Sequence, residues 1–168
     1  MDHVSASETQ SVRNPVDLIE EIATANEWPF ERGGEDELVA QLNGRWDDYR
    51  VHFAWNGEIS ALQFTCALDF KVPVHRRPSV LELVALANER MWLGHFDLTS
   101  DEGGVAMFRH AVPLRGARGV TVEQVEDLVD VALTECERFF PAFQFVIWGG
   151  KKPGEALDAA CIDTVGEA

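Results

Sequence analysis

The stretch Arg77–Phe96, RPSVLELVALANERMWLGHF, decides how the rest of the chain is arranged. Val80, Leu83, Val84, Ala87 and Met91 recur at helical spacing, which puts them on one face. Pro78 suits a first helical turn, where its missing N–H costs little, and Ser79 offers an alternative cap. Gly94 is expected to end the helix, because a left-handed residue is least strained without a Cβ. Strand-like runs flank this helix, three before it and two after it. A helix between two antiparallel blocks has to cover them.

Upstream, Tyr49, Val51, Phe53 and Trp55 alternate with Arg50, His52 and Ala54, a strand period of two. Asn43-Gly44 and Asn56-Gly57 bracket this run. Each predicts a hairpin, since the mirror-image two-residue turn wants positive φ at both positions. With Glu37–Leu42 before and Ile59–Leu68 after, the result is an antiparallel meander. Trp28, Phe30 and Arg32 form a short extended segment ahead of it. Before that, Val16, Ile19, Ile22 and Ala23 predict a helix that starts with Asn14 as N-cap and Pro15 behind it. That helix should end between Asn26 and Trp28, ahead of Pro29. Residues 1–13 are polar and aperiodic and are expected to be a mobile tail.

Downstream, His95–Thr99 and Val105–Val112 predict a hairpin closed by Asp101–Gly104. Thr121 reads as an N-cap, with Gln124 completing a capping box. An apolar stripe follows: Val122, Val125, Val129, Ala132, Cys136 and Phe139. Pro141 is expected to kink or end this helix. Phe143–Trp148 fits either a last helical turn or a short strand. Pro153–Val165 predicts a final short helix. The order is α-β-β-β-α-β-β-α plus a C-terminal helical segment. It defines one α+β domain over residues 14–168, an antiparallel sheet with helices packed on one face.

Composition narrows the function. The 168 residues suit a single domain that folds without disulfides or metals. Acidic residues number 29 against 14 basic ones, a net charge of −15. That argues against nucleic acid and against an anionic membrane surface as partners. The three cysteines, Cys66, Cys136 and Cys161, are odd in number and form no CxxC pair, so they are expected to be reduced. The first residues lack the apolar core of a signal peptide, and no run approaches the ~20 apolar residues of a membrane span. A cytoplasmic protein is expected.

No catalytic set assembles. There is no HExxH, no GxSxG and no Cys–His frame. His95 and Asp97 would share one side of a strand, with His110 on the neighbouring strand. This is a weak set, and neither a metal nor a cofactor is expected. Glu123, Asp127 and Asp130 read as a solvated helix face. Gly149–Lys151 lacks the first glycine and the hydroxyl residue of a phosphate loop. The chain is therefore read as a non-enzyme. Five Trp and ten Phe remain to be placed. A thick core and a partner surface both account for them.

Several stretches resemble the YbjN-domain family. They are NPVDLIEEIATANEWPFER from Asn14, GRWDDY from Gly44, LVALANERMWLGHFDL from Leu83 and MFRHAV from Met107, with the run from Glu137 through PAFQFVIWGGK to Ala168. The resemblance implies a bacterial sensory-transduction regulator with a fold similar to type III secretion chaperones. Those are acidic, non-enzymatic and usually dimeric. It carries no catalytic residue over. The expected function is a protein-interaction module, a regulator or chaperone-like adaptor in bacterial signalling or stress response. The expected partners are a second copy of the chain and an unidentified protein. Met91, Trp92 and Phe96 form the candidate interaction surface. The alternative is a small-molecule-binding sensory domain with an apolar pocket between sheet and long helix, lined by Phe139, Phe143 and Trp148.

Overall fold

The computed structural model describes residues 11–165. Most of the expected tail lies outside the described residues. Val12 packs against the core, and the Arg13 N–H donates to the Arg118 carbonyl at 3.1 Å. The elements are α1 (Val16–Ala25), β1 (Phe30–Arg32), β2 (Glu37–Asn43), β3 (Asp48–Asn56), β4 (Ala61–Lys71), a 3-10 turn (Val74–Arg76), α2 (Arg77–Asn88), β5 (His95–Leu98), β6 (Val105–Pro113), α3 (Val122–Ile147) and α4 (Pro153–Val165). The strands form one antiparallel sheet in the order β1-β2-β3-β4-β6-β5. The short extended segment at Phe30 is thus a real edge strand, making four strands before α2.

Alternation sorts the sheet into two faces. Leu38, Ala40, Val51, Phe53, Leu62, Phe64, Cys66, Ala106 and Phe108 are buried on the face beneath the helices. Their neighbours Gln41, Arg50, Gln63 and Asp69 are exposed on the other. A strand's side chains point alternately to opposite sides, so one buried face leaves one polar face. α1 lies over β2 and β3, α3 over β4 and β6, and α2 beside β5, while α4 packs on α2 and α3.

The helix stripes read from the sequence are the buried ones. Val16, Ile19, Ile22 and Ala23 of α1 are buried, as are Val80, Leu83, Val84 and Ala87 of α2. The N-cap position of α1 falls on Pro15, one residue later than expected, and Asn14 Oδ1 accepts from the Val16 N–H at 3.0 Å just ahead of the helix. Thr121 and Gln124 form the full capping box, at 3.1 and 2.9 Å. Cys66 and Cys136 are both buried, with sulfurs 3.8 Å apart. That contact, together with burial, pushes the Cys136 thiol pKa up.

Three local expectations are corrected. First, the Asn-Gly hairpins close through four-residue loops, since Asn43 pairs with Asp48 and Asn56 with Ala61. In the second loop Asn56 Oδ1 accepts from the Glu58 N–H at 3.0 Å, and the positive φ falls on Ser60, not Gly57. Asn serves here as a side-chain turn former. Gly44 is needed for space, because a Cβ would overlap the Tyr49 ring and lie 2.7 Å from the Asp47 carbonyl oxygen.

Second, Gly94 does not end α2. The helix stops at Asn88, whose side chain is taken by β5. The Phe96 N–H donates to Asn88 Oδ1 at 2.7 Å, and Asn88 Nδ2 donates to the Phe96 carbonyl at 3.1 Å. The amide imitates a neighbouring strand and closes that sheet edge.

Third, α3 runs unbroken through Pro141 to Ile147 and absorbs the ambiguous Phe143 segment. Proline inside a helix costs about 3 kcal/mol. Phe139, Phe140, Phe143, Val146 and Ile147 are all buried around it. Each such side chain recovers roughly 1.5–3 kcal/mol on burial, so packing outweighs the proline.

Candidate protein-binding surface

The residues between α2 and β5 are too short a link to bury what they carry. Trp92 is 99% exposed and Leu93 50% exposed, while Met91 is half-buried against the core. Beside them is a small groove of about 150 Å³, lined by Leu93, His110, Val112, Leu128 and Val131, with Gln124 and Asp127 also in the lining. It is an apolar slot next to the acidic outer face of α3.

Among the described residues, the sheet edge at this place is open. The Thr99 N–H donates to the Val105 carbonyl on the β5 side of β6, whereas the Leu114 N–H donates to Ser60 on the β4 side. A period of two then turns the backbone of Met107, Arg109 and Ala111 toward β5. β5 begins at His95, opposite Arg109. The exposed Ala111 therefore lies beyond the end of its neighbour, and its peptide groups face outward. An unpaired edge next to apolar side chains is what an added strand recognises.

His110 sits at the bottom of this slot. Burial lowers its pKa from the usual 6.5, and His95 nearby adds to the shift. The unfolded chain thus takes up the proton more readily than the folded one. Stability is full above the unfolded value and is lost as pH falls through the folded value. His110→Leu is therefore expected to flatten part of the fall in melting temperature between about pH 7 and pH 5. Thermal denaturation of both proteins across that range checks this. Parallel curves would refute it.

The expected site residues divide between surface and core. Trp92 is at the surface, and Met91 is half-buried against the core. Phe96 is not available to a partner: it is 1% exposed, with ring centroids 5.4 Å from Phe143, 5.6 Å from Phe139 and 5.9 Å from Phe108. Register explains this, since Phe96 pairs with Phe108 on the helix-covered face. Phe139 and Phe143 belong to the same cluster, and Phe70 joins Phe143 at 5.8 Å. Their rings fill the space between sheet and α3 where the alternative pocket was expected. Trp148 is apart from them, 60% exposed and edge-on to Phe70 at 5.6 Å.

The weak metal set does not converge. Asp97 is engaged by Arg109 at 2.9 Å, which with the Leu98 N–H holds its carboxyl below the usual range against the effect of burial. His110 pairs with Phe64 and so lies on the opposite sheet face from His95 and Asp97. Among the described residues no three His, Cys, Asp or Glu side chains group as metal ligands. A larger open groove, about 890 Å³, crosses the uncovered sheet face past Val39, Gln41, Arg50, Ala67, Asp69 and Lys71. No helix among the described residues is long and apolar enough to cross a membrane.

An antiparallel sheet with helices on one face is an α+β fold similar to that of type III secretion chaperones. A family model described as "YbjN: Putative bacterial sensory transduction regulator" matches residues 15–145, and the chain belongs to that family. α4 lies beyond the matched span. Among solved structures, the fold is similar to YbjN from E. coli, described as "a putative transcription regulator". That match has 13% identity and a TM-score of 0.56, and it covers 91% of this chain and 97% of the other. It is also similar to a chain of the ExsC-ExsE complex, with 19% identity and a TM-score of 0.51, covering 73% and 88%. No curated protein matches.

Proposed function

We propose that the protein is a non-enzymatic protein-interaction module, a regulator or chaperone-like adaptor in bacterial signalling or stress response. It acts in the cytoplasm, and the surface at Met91 and Trp92 receives a protein segment. One observation carries this reading: a tryptophan that is 99% exposed, beside the half-exposed Leu93 and the open edge of β6. Tryptophan is the residue most enriched among interface anchors. Full exposure of its apolar area has no use in folding the monomer. The solved ExsC-ExsE complex shows that a chain of similar fold can hold a protein partner.

The first occupant to test is a second copy of the chain. Light scattering over a range of concentrations should give the mass of a dimer, and Trp92→Asp should give that of a monomer. With a net charge of −15 per chain, association should tighten as salt screens the repulsion. Because Trp92 supports nothing beneath it, the variant should keep its stability within about 0.5 kcal/mol. A wild-type protein that stays monomeric at high concentration and high salt rules out self-association here. It leaves the surface to a different protein.

A further inference from the structure

We propose that the protein segment received beside Trp92 is a basic β-strand. It pairs with the free edge of β6 at Ala111, and one of its aliphatic side chains enters the apolar slot. A lysine or arginine on the same side of the strand meets Asp127. The proposal rests on the protein-binding reading of this surface and adds the chemistry of the partner.

The backbone supplies the docking line. β5 starts at His95, opposite Arg109, and the residues ahead of it turn at Gly94, φ +70°. Among the described residues, the Ala111 N–H and carbonyl have no partner on the β5 side. Pro113 beyond them offers only a carbonyl. A strand laid here continues the line of β5 and sends alternate side chains to the two faces of the sheet. Those across from His110 and Val112 point to the helix-covered face, since His110 pairs with Phe64 and Val112 with Leu62, both buried there.

The slot sets the first side chain. It is about 150 Å³, with Leu93, Val112, Leu128 and Val131 in its lining. That suits a single aliphatic group.

Charge sets the second. Burial holds His110 below its usual pKa and so neutral at pH 7, which leaves Asp127 as the only charged group in the lining. Glu123 and Asp130 flank Asp127 at one-turn spacing, so three exposed carboxylates share that side of α3. From Val122 to Glu137, α3 carries six carboxylates and no lysine or arginine. Arg115 and Arg118 are on the loop beyond Pro113, and neither lines the slot. A strand whose next same-side residue is cationic gains a partner here, whereas an acidic one meets like charge.

Fluorescence anisotropy of labelled, capped peptides tests this on the full chain. The probes alternate valine with lysine, serine with lysine, or valine with glutamate. The valine–lysine peptide should bind saturably, and at least tenfold more tightly than either of the others. Added salt should weaken it, the reverse of the response expected for self-association at this surface. Ala111→Pro takes away the free N–H without touching a ladder bond, and Asp127→Asn removes the charge at the slot. Each should weaken binding at least about fivefold. Both positions are exposed, and thermal melts should show both variants folded. Glu31→Gln, on the opposite edge strand, should bind as wild type does. Equal binding of the serine–lysine peptide overturns the proposal, because charge alone would then hold the peptide. Binding unchanged in both variants overturns it by placing the peptide elsewhere. Absence of binding by all three probes overturns it as well, while the solution mass of Trp92→Asp tests the protein-binding reading separately. Tighter binding of the valine–glutamate peptide, lost in Ala111→Pro, would keep the protein-binding surface and overturn the basic partner.

Discussion

Gly94→Ala is expected to destabilise the protein by roughly 2–5 kcal/mol, although Gly94 lies in a connection and on no helix or strand. Two effects add. Its φ of +70° costs a residue with a Cβ about 1–2 kcal/mol. The added Cβ would also overlap Phe108 Cζ and lie 2.7 Å from Cε2 and 2.9 Å from the Arg109 carbonyl oxygen. Overpacking of this kind typically costs about 1–3 kcal/mol. Phe108 is fully buried and held by Phe96, so it has no room to withdraw. Gly116→Ala is the matched control, with φ +89° and nothing within 4 Å of its Cβ. Urea denaturation of both variants decides the matter. Equal losses would mean that the ring overlap is relieved and only the backbone conformation counts.

Phe96→Ala is expected to cost about 3–5 kcal/mol, the usual range for emptying a buried phenylalanine site. That is a large part of the ~5–15 kcal/mol that holds a domain folded. Phe96 touches three rings from two other elements, Phe108 on β6 and Phe139 and Phe143 on α3. Its loss should also loosen the link carrying Trp92, four residues earlier. The variant should then lose stability and partner binding together, whereas Trp92→Asp should lose binding alone. Comparing urea midpoints with solution mass for the two variants separates support from contact. A Phe96→Ala protein with wild-type stability would show that the aromatic cluster closes over the gap.

The α+β class, nearly all elements and the buried helix stripes were legible because they follow from local periodicity. Val16, Ile19, Ile22 and Ala23 lie three or four residues apart, and an isolated helix already places them on one side. The capping box at Thr121 needs only Gln124, three residues away. Trp92 was legible as a surface residue because it follows Met91, the last residue of the apolar spacing, although the helix itself stops earlier, at Asn88. Phe96 was misjudged because its direction depends on pairing with Phe108, twelve residues further on.

What the tertiary structure decided has a common physical character: each case joins residues far apart in the chain. β6 pairs with β4 and pushes β5 to the edge, which leaves Ala111 beyond the end of β5 and, among the described residues, without a strand neighbour on that side. α3 continues through Pro141 because Phe70 and Phe96 from the sheet supply ring partners for Phe140 and Phe143. Local pattern reports which side of an element is apolar. Which apolar sides meet depends on the packing energy of the whole core, and no short window of sequence contains it.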